Sequence, residues 1–177
     1  MSYVQLFAFL EGDDDERFFN STLRPRLEAQ YSHIQTIKYA GFKSEKIKSY
    51  ITSIKGMGAR YCFLRDIDGA MCVSEKRSQL TERYPALDPE NIFVVVKEIE
   101  SWYLAGISSS DARKMRLGFQ GSTNALTKEQ FDALRPKRFI SRIDFMVELL
   151  RVFSFQTATT NNSSFGYFVA KHGLSNS

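Results

Sequence analysis

Leu6-Phe7-Ala8-Phe9-Leu10-Glu11-Gly12-Asp13-Asp14-Asp15-Glu16-Arg17-Phe18-Phe19 passes from an apolar run, across Glu11-Gly12, into a block of acids and an amphipathic pattern continued by Leu23 and Leu27. This order of residue types reads as a buried β-strand, a tight turn and a helix. Gly12 allows backbone angles that a Cβ would forbid, and Asp13 suits the helix N-cap. Acids in a first helical turn also complement the positive end of the helix dipole. Helix chemistry therefore accounts for Asp13 to Glu16. It does not account for Glu11, which ends the strand where a cap has no use for it.

Working outward, strand one covers Tyr3–Leu10, and the helix after it is expected over Asp14–Gln30, bent or shortened at Pro25. His33–Tyr39 partly alternates and reads as a half-exposed strand near a sheet edge. A helix opens near Ser44, with Ile47, Ile51 and Ile54 on one face, and ends at Gly56 and Gly58. Arg60–Leu64 is a third strand, stopping at Arg65-Asp66-Ile67-Asp68-Gly69. A helix over Val73–Tyr84 and the strong apolar run Ile92–Val96 follow. Strands alternating with helices give an α/β fold with a mostly parallel four-stranded sheet flanked by helices.

In such sheets the ligand crevice lies beyond the carboxyl ends of the strands. Strand one ends in Glu11, strand three in Asp66 and Asp68, strand four in Glu98 and Glu100. Three strands thus carry acids to one edge. If a helix starts at Glu98, residues two apart diverge, and Glu100, followed by Trp102, is the inward one.

Beyond Ser101 the pattern changes. Trp102–Leu104 starts a short helix, Gly106–Ala125 reads as polar loop, and Thr127–Leu134 as a helix with a capping box. Pro136–Phe153 is expected to be one helix with Ile140, Ile143, Met146, Val147 and Leu150 inward. Thr157–Ser163 reads as a connector, Ser164–Lys171 as a last helix, and Gly173–Ser177 as a frayed end. The expected division is an α/β core over 1–106 and a small helical extension over 107–177, within one structural domain.

The 177 residues suffice for a sizeable core, and 43% hydrophobic with 25% charged residues is ordinary for a globular chain. No apolar run approaches the roughly 20 residues of a membrane span, so no membrane partner is expected. The first strand begins almost at the N-terminus, so no secretory leader is expected, and the expected location is the cytoplasm. Cys62 and Cys72 lack zinc spacing and read as reduced core or near-core residues. A net charge of +4 is weak support for a polyanionic partner.

Carboxylates brought together raise one another's pKa and call for water or a cation. Oxygen ligands of this kind suit Mg²⁺ or Mn²⁺, which can activate water and stabilise the leaving oxygen in phosphodiester cleavage. His33 and His172, the only histidines, are poorly spaced for a histidine-based hydrolase. Each element also has a plain structural reading. Asp66-x-Asp68-Gly69 suits an Asx turn, and its glycine falls too early for an EF-hand. Glu98 and Glu100 suit a solvated helix start. Lys97, Lys46, Arg138 and Arg142 can touch a nucleic-acid backbone, but charged helix faces are usually just solvated.

The set resembles the TOPRIM domain of topoisomerases, bacterial primases and OLD-family nucleases. Glu11-Gly12 with Asp15, then Asp66-Ile67-Asp68 at a later strand end, match its pattern. Lys97 to Ala105, with Glu100-x-Trp102, resembles small OLD-like and RloB-like members, and the Ser163–Val169 helix has a similar look. The resemblance implies a Rossmann-like TOPRIM fold, Glu11 as general acid/base and metal ligand, and Asp66 and Asp68 as ligands of one or two Mg²⁺ or Mn²⁺ ions. Asp15 and Glu100 would complete the shell. Asp13-Asp14 departs from the pattern, and Arg65 beside Asp66 is placed to neutralise part of the site. Within these 177 residues no room is expected for a topoisomerase's tyrosine domain or a primase's zinc module, and no Gly-x-x-x-x-Gly-Lys-Ser/Thr motif occurs in them. What is implied is a small nuclease acting with a separate ATPase in phage defence. Two other classes stay open: a receiver-like phosphoacceptor domain, and a catalytically silent TOPRIM-like interaction subunit.

Overall fold

The computed structural model describes residues 3–174. Four strands, β1 (Gln5–Leu10), β2 (His33–Lys38), β3 (Arg60–Asp66) and β4 (Ile92–Val95), form one sheet in the order β2-β1-β3-β4, all parallel. The α/β expectation holds. Two compact units divide at Val95/Val96, so the boundary precedes the expected one after Gly106. Among the described residues no helix is long and apolar enough to cross a membrane.

In the first unit β1 is flanked on both sides, and Leu6 to Leu10 are all buried. Alternation sends Phe7 and Phe9 to one face with Tyr61 and Phe63 of β3. Leu6, Ala8 and Leu10, of opposite parity, are equally buried, so both faces are covered, as a central parallel strand requires. On the Phe9 face, Tyr39 packs 4.3 Å from Phe63 between ring centres, and α3 (Ser44–Gly56) contributes Ile47, Ile51 and Ile54. The helix α4 (Val73–Arg83) adds Leu80. Edge strand β2 buries only Ile34 and Ile37.

The helix after β1 is interrupted. A regular segment α1 (Asp13–Phe18) runs into a π turn over Phe19–Leu23 and then α2 (Arg24–Leu27), with Pro25 at its start. Proline has no N–H to give the carbonyl four residues back. The wide turn, in which Arg24 N–H reaches the Phe19 carbonyl, carries the chain past that gap.

The second unit contains α5 (Glu100–Ala105), α6 (Ser109–Met115), α7 (Lys128–Leu134), α8 (Arg142–Arg151), α9 (Phe155–Asn161) and α10 (Ser163–Lys171). Three expectations fail here. The Gly106–Ala125 loop contains α6, capped by Ser108, whose hydroxyl accepts from Asp111 N–H. The supposed connector after Thr157 belongs to α9. The long helix starts at Arg142, because Ser141 and Asp144 form the capping box there. Its buried side is Phe145, Met146 and Leu149, leaving Ile140, Ile143 and Val147 exposed. Buried Asn162 caps α10 by accepting from Phe165 N–H, and its amide donates to Ser101 and Thr123. Ser164 Oγ accepts from Trp102 Nε1 and Val96 N–H. The frayed end expected from Gly173 lies, over 175–177, outside the described residues; Leu174 is buried.

Candidate acidic site at the carboxyl edge of the sheet

The register of β1 and β3 pairs Phe9 with Phe63. Two residues further along each strand come Glu11 and Arg65, so the same parity brings them side by side. Arg65 Nη1 lies 3.1 Å from Glu11 Oε1. Its Nε and Nη2 donate to Asp68 Oδ2 at 3.3 and 3.1 Å, and Lys76 Nζ of α4 reaches the same oxygen at 2.5 Å. One guanidinium thus bridges acids from the ends of two adjacent strands. Lys76, buried among the described residues of this unit, was not among the sequence candidates. Its signal was weak, a lone lysine on the inner side of a largely polar helix.

Asp68 adopts φ +48°, the left-handed region. That conformation costs a non-glycine residue on the order of 1 kcal/mol, less for Asp, whose short side chain bonds locally. Lys76 and Arg65 hold the carboxylate in place. Partial burial works to raise the Asp68 pKa, but hydrogen bonds from these two cations outweigh it and hold it below the ordinary value. Burial likewise opposes the Arg65 charge, yet nearby Tyr39, Glu11 and Asp68 shift its pKa upward. The Tyr39 hydroxyl donates to the Leu64 carbonyl, and burial pushes its pKa well up.

Asp66 closes β3 with parity opposite to Arg65, so strand alternation turns it away from the face shared by Arg65 and Glu11. It makes interactions within the fold, while its Oδ1 is a buried oxygen without a hydrogen bond. Buried Asp15 is engaged as a cap, with Oδ2 accepting from Gly12 N–H at 3.2 Å. The other acids of the block are also occupied: Asp13 pairs with Lys38, Asp14 with Arg17, and Glu16 with Thr36 and Lys38.

The remaining candidates belong to one unit or the other, each with its own surroundings. Glu100 belongs to the second unit, almost fully buried, and pairs with Arg142, which also reaches Asp132 at 2.9 Å. Burial raises the Glu100 pKa despite that partner. Arg142 is therefore committed to carboxylates. Arg138 donates to the Met115 carbonyl and stacks over Phe139. Lys97, exposed, has φ +68°. Lys46 lies on α3 of the first unit, 3.8 Å over the Phe42 ring. Cys62 is buried in β3, whereas Cys72 is exposed, against the near-core expectation.

Among the described residues no three His, Cys, Asp or Glu side chains stand together as a metal-holding group. In kind, the donors suit a hard divalent cation, since Glu11, Asp66 and Asp68 offer only oxygen. A cation already stands between Glu11 and Asp68, in the form of Arg65.

No protein-family model matches the chain, and no curated protein matches it. Among solved structures, the chain is similar to the C-terminal region of the OLD protein of Xanthomonas campestris pv. campestris. Identity is 16%, coverage is 97% of this chain and 95% of that one, and the TM-score is 0.43.

Proposed function

We propose that this chain is a metal-dependent phosphodiesterase of TOPRIM type, cleaving DNA or RNA. The observation that carries the reading is the Arg65 bridge, in which carboxylates from adjacent strand ends share one cation. Acids held that close call for positive charge, and the carboxyl edge of a parallel sheet is where such folds bind ligands. Glu11 and Asp68 are proposed ligands of Mg²⁺ or Mn²⁺, with Asp66 and Asp15 as further candidates in the same unit. A bound divalent cation supplies Lewis-acid polarisation of a phosphoryl oxygen and activation of water.

The chain's own groups have separate tasks. Glu11, about one-third exposed, is open enough to take a proton from an attacking water. Lys76 fixes Asp68, and the left-handed turn at Asp68-Gly69 sets the carboxylate at the edge. Lys97, Lys46 and Arg138 are proposed backbone contacts for the nucleic acid, and a separate ATPase is the proposed partner in defence against phage.

The test is cleavage of supercoiled plasmid, single-stranded DNA and tRNA with Mg²⁺ or Mn²⁺, using the parent chain, Glu11→Gln and Asp66→Asn. Metal-dependent activity lost in both variants is expected. Equal activity in parent and variants would overturn the assignment of these residues. Absence of both cleavage and metal binding would favour the silent interaction subunit.

A further inference from the structure

The net charge of +4 is not shared evenly between the units. The first is balanced, with thirteen Lys and Arg against thirteen Asp and Glu, whereas the second has eleven against seven. The acids of the second unit are engaged: Glu100 and Asp132 with Arg142, Glu148 with Arg151, Asp111 with Lys114, and Asp144 and Glu98 with backbone N–H groups. Six of its cations fall in two short segments, Arg113-Lys114-Met115-Arg116 and Arg135-Pro136-Lys137-Arg138. Arg138 Nη1 donates to the Met115 carbonyl at 3.3 Å, so the segments lie side by side, and all six cations are exposed. Among the described residues, Arg113, Arg116, Arg135, Lys137 and Arg138 form no ion pair.

Helix chemistry explains part of this patch. Arg113 and Lys114 lie in the last turn of α6, where cations complement the negative end of the dipole. Arg116 has no such reason. It ends the helix at φ +56°, a left-handed position where glycine or asparagine is usual and a long side chain carries a backbone cost.

Both basic segments also lead into a cavity of about 450 Å³. Phe119, three residues past Arg116, lines it, and so does Leu134, which directly precedes Arg135. The helix α7 adds Gln130 and Ala133, and buried Leu126 closes the apolar wall. This is room for one heterocycle, with an aromatic ring for its face. Cations at the rim suit the phosphates that follow a base along a strand, and four of the six are Arg, whose planar fork matches phosphate. An acidic peptide would use the cations and leave the cavity unfilled.

We propose that the second unit carries a binding site for single-stranded nucleic acid. Backbone phosphates lie along Arg113–Arg116 and Arg135–Arg138, and one unpaired base enters the cavity against Phe119. A duplex keeps its bases stacked and paired, so it gains the phosphate contacts alone. The site extends the contact proposed for Arg138, and stands whether or not the chain cleaves its ligand.

The test titrates the full chain into a short fluorescent single strand, the same strand without bases, and the matching duplex. Anisotropy is read at several salt concentrations, with EDTA present so that no metal-dependent cleavage intervenes. The variants are Arg116→Gly, Phe119→Ala and the double variant Arg113→Gln with Lys137→Gln, each checked by thermal melting. The single strand is expected to bind several-fold tighter than the duplex or the base-free strand. Arg116→Gly places the favoured residue in the left-handed position, so it should melt no lower than the parent yet bind several-fold more weakly. Its slope of log affinity against log salt should fall by about 0.7, the share of one phosphate contact on a single strand. Phe119→Ala should weaken binding about fivefold or more and leave that slope unchanged. Full affinity in Phe119→Ala, or equal binding of the base-free strand, removes the cavity from the site and overturns the proposal. Full affinity in the double variant overturns it from the phosphate side. Poly-glutamate binding as tightly as the single strand would make the patch a surface for acidic proteins instead. Binding as expected by a chain that cleaves nothing when metal is supplied upholds this site and overturns hydrolysis alone.

Discussion

Each unit contains an arginine that bridges two carboxylates, and the two bridges differ in their surroundings. Arg65 joins Glu11 and Asp68 at an edge open to water, whereas Arg142 joins exposed Asp132 to Glu100, whose side chain is 5% exposed. The pKa directions separate accordingly: downward for Asp68 under its two cations, upward for Glu100 because burial prevails over Arg142. The same triad of groups therefore leaves both acids in reach of water in one unit and buries one of them in the other. What decides is desolvation, since a buried charge that loses its partner has no water to replace it.

Removing each arginine tests that contrast. Arg142→Ala is expected to lose about 3 kcal/mol of stability, because a buried carboxylate is left uncompensated. The second unit holds the only tryptophan, buried Trp102, whose fluorescence during urea unfolding reports the change. The loss should be larger at pH 7 than near pH 4. A carboxyl whose folded pKa is raised is stable in the folded state when protonated, and loses that stability as pH rises through the folded value. A loss below about 1 kcal/mol would place Arg142 with ordinary surface pairs and dissolve the contrast.

Glu100→Gln in the Arg142→Ala background sharpens the point, since an uncharged amide does not need the guanidinium. It should recover about 1–2 kcal/mol of the loss, the scale on which a buried polar group differs from an unpaired charge. No recovery would mean that Arg142 matters for packing against Phe131, over which it lies, rather than for charge.

Arg65→Ala is expected to change stability by less than about 1 kcal/mol, measured by far-ultraviolet circular dichroism on heating. A larger loss would make the first bridge structural too. A further test concerns His172, which packs against Phe168 and whose pKa burial lowers to about 4. A lowered folded pKa contributes stability above the unfolded value near 6.5 that is lost as pH falls toward 4. His172→Phe should flatten the acid side of the second unit's stability profile, isolating the Glu100 slope. An unchanged profile would show that His172 titrates normally.

The first unit was legible because its residues obey simple periods. Buried β1 and β4 read as apolar runs, and the Ile47, Ile51, Ile54 spacing gave α3 its inner face. Glu11 and Asp68 were found from their positions at strand ends, and Arg65 from its place beside Asp66. Lys76 was not, because its role arises only when α4 packs back toward the edge. The second unit was less legible. The helix α9 is rich in threonine, a poor helix former, and is held by burial of Phe155 and Ala158 rather than by propensity. In α6 only Ala112 and Met115 are buried, too narrow a stripe to announce a helix among serines. For α8, apolar residues occur on both sides, so periodicity could not say which face is inward; Ser141-x-x-Asp144 was the start signal that Pro136 concealed.

The hydrogen-bonded set of Ser101, Thr123, Asn162 and Ser164 carries a consequence for how this sequence can drift. Changing one member alone strands a donor or acceptor in the interior, at a cost of roughly 1–3 kcal/mol, while replacing partners jointly by apolar groups of similar shape can be nearly neutral. Ser101, Thr123, Asn162 and Ser164, scattered across 64 positions of chain by their numbering, are therefore tied into one heritable unit: descendants should keep all four or exchange them as a group.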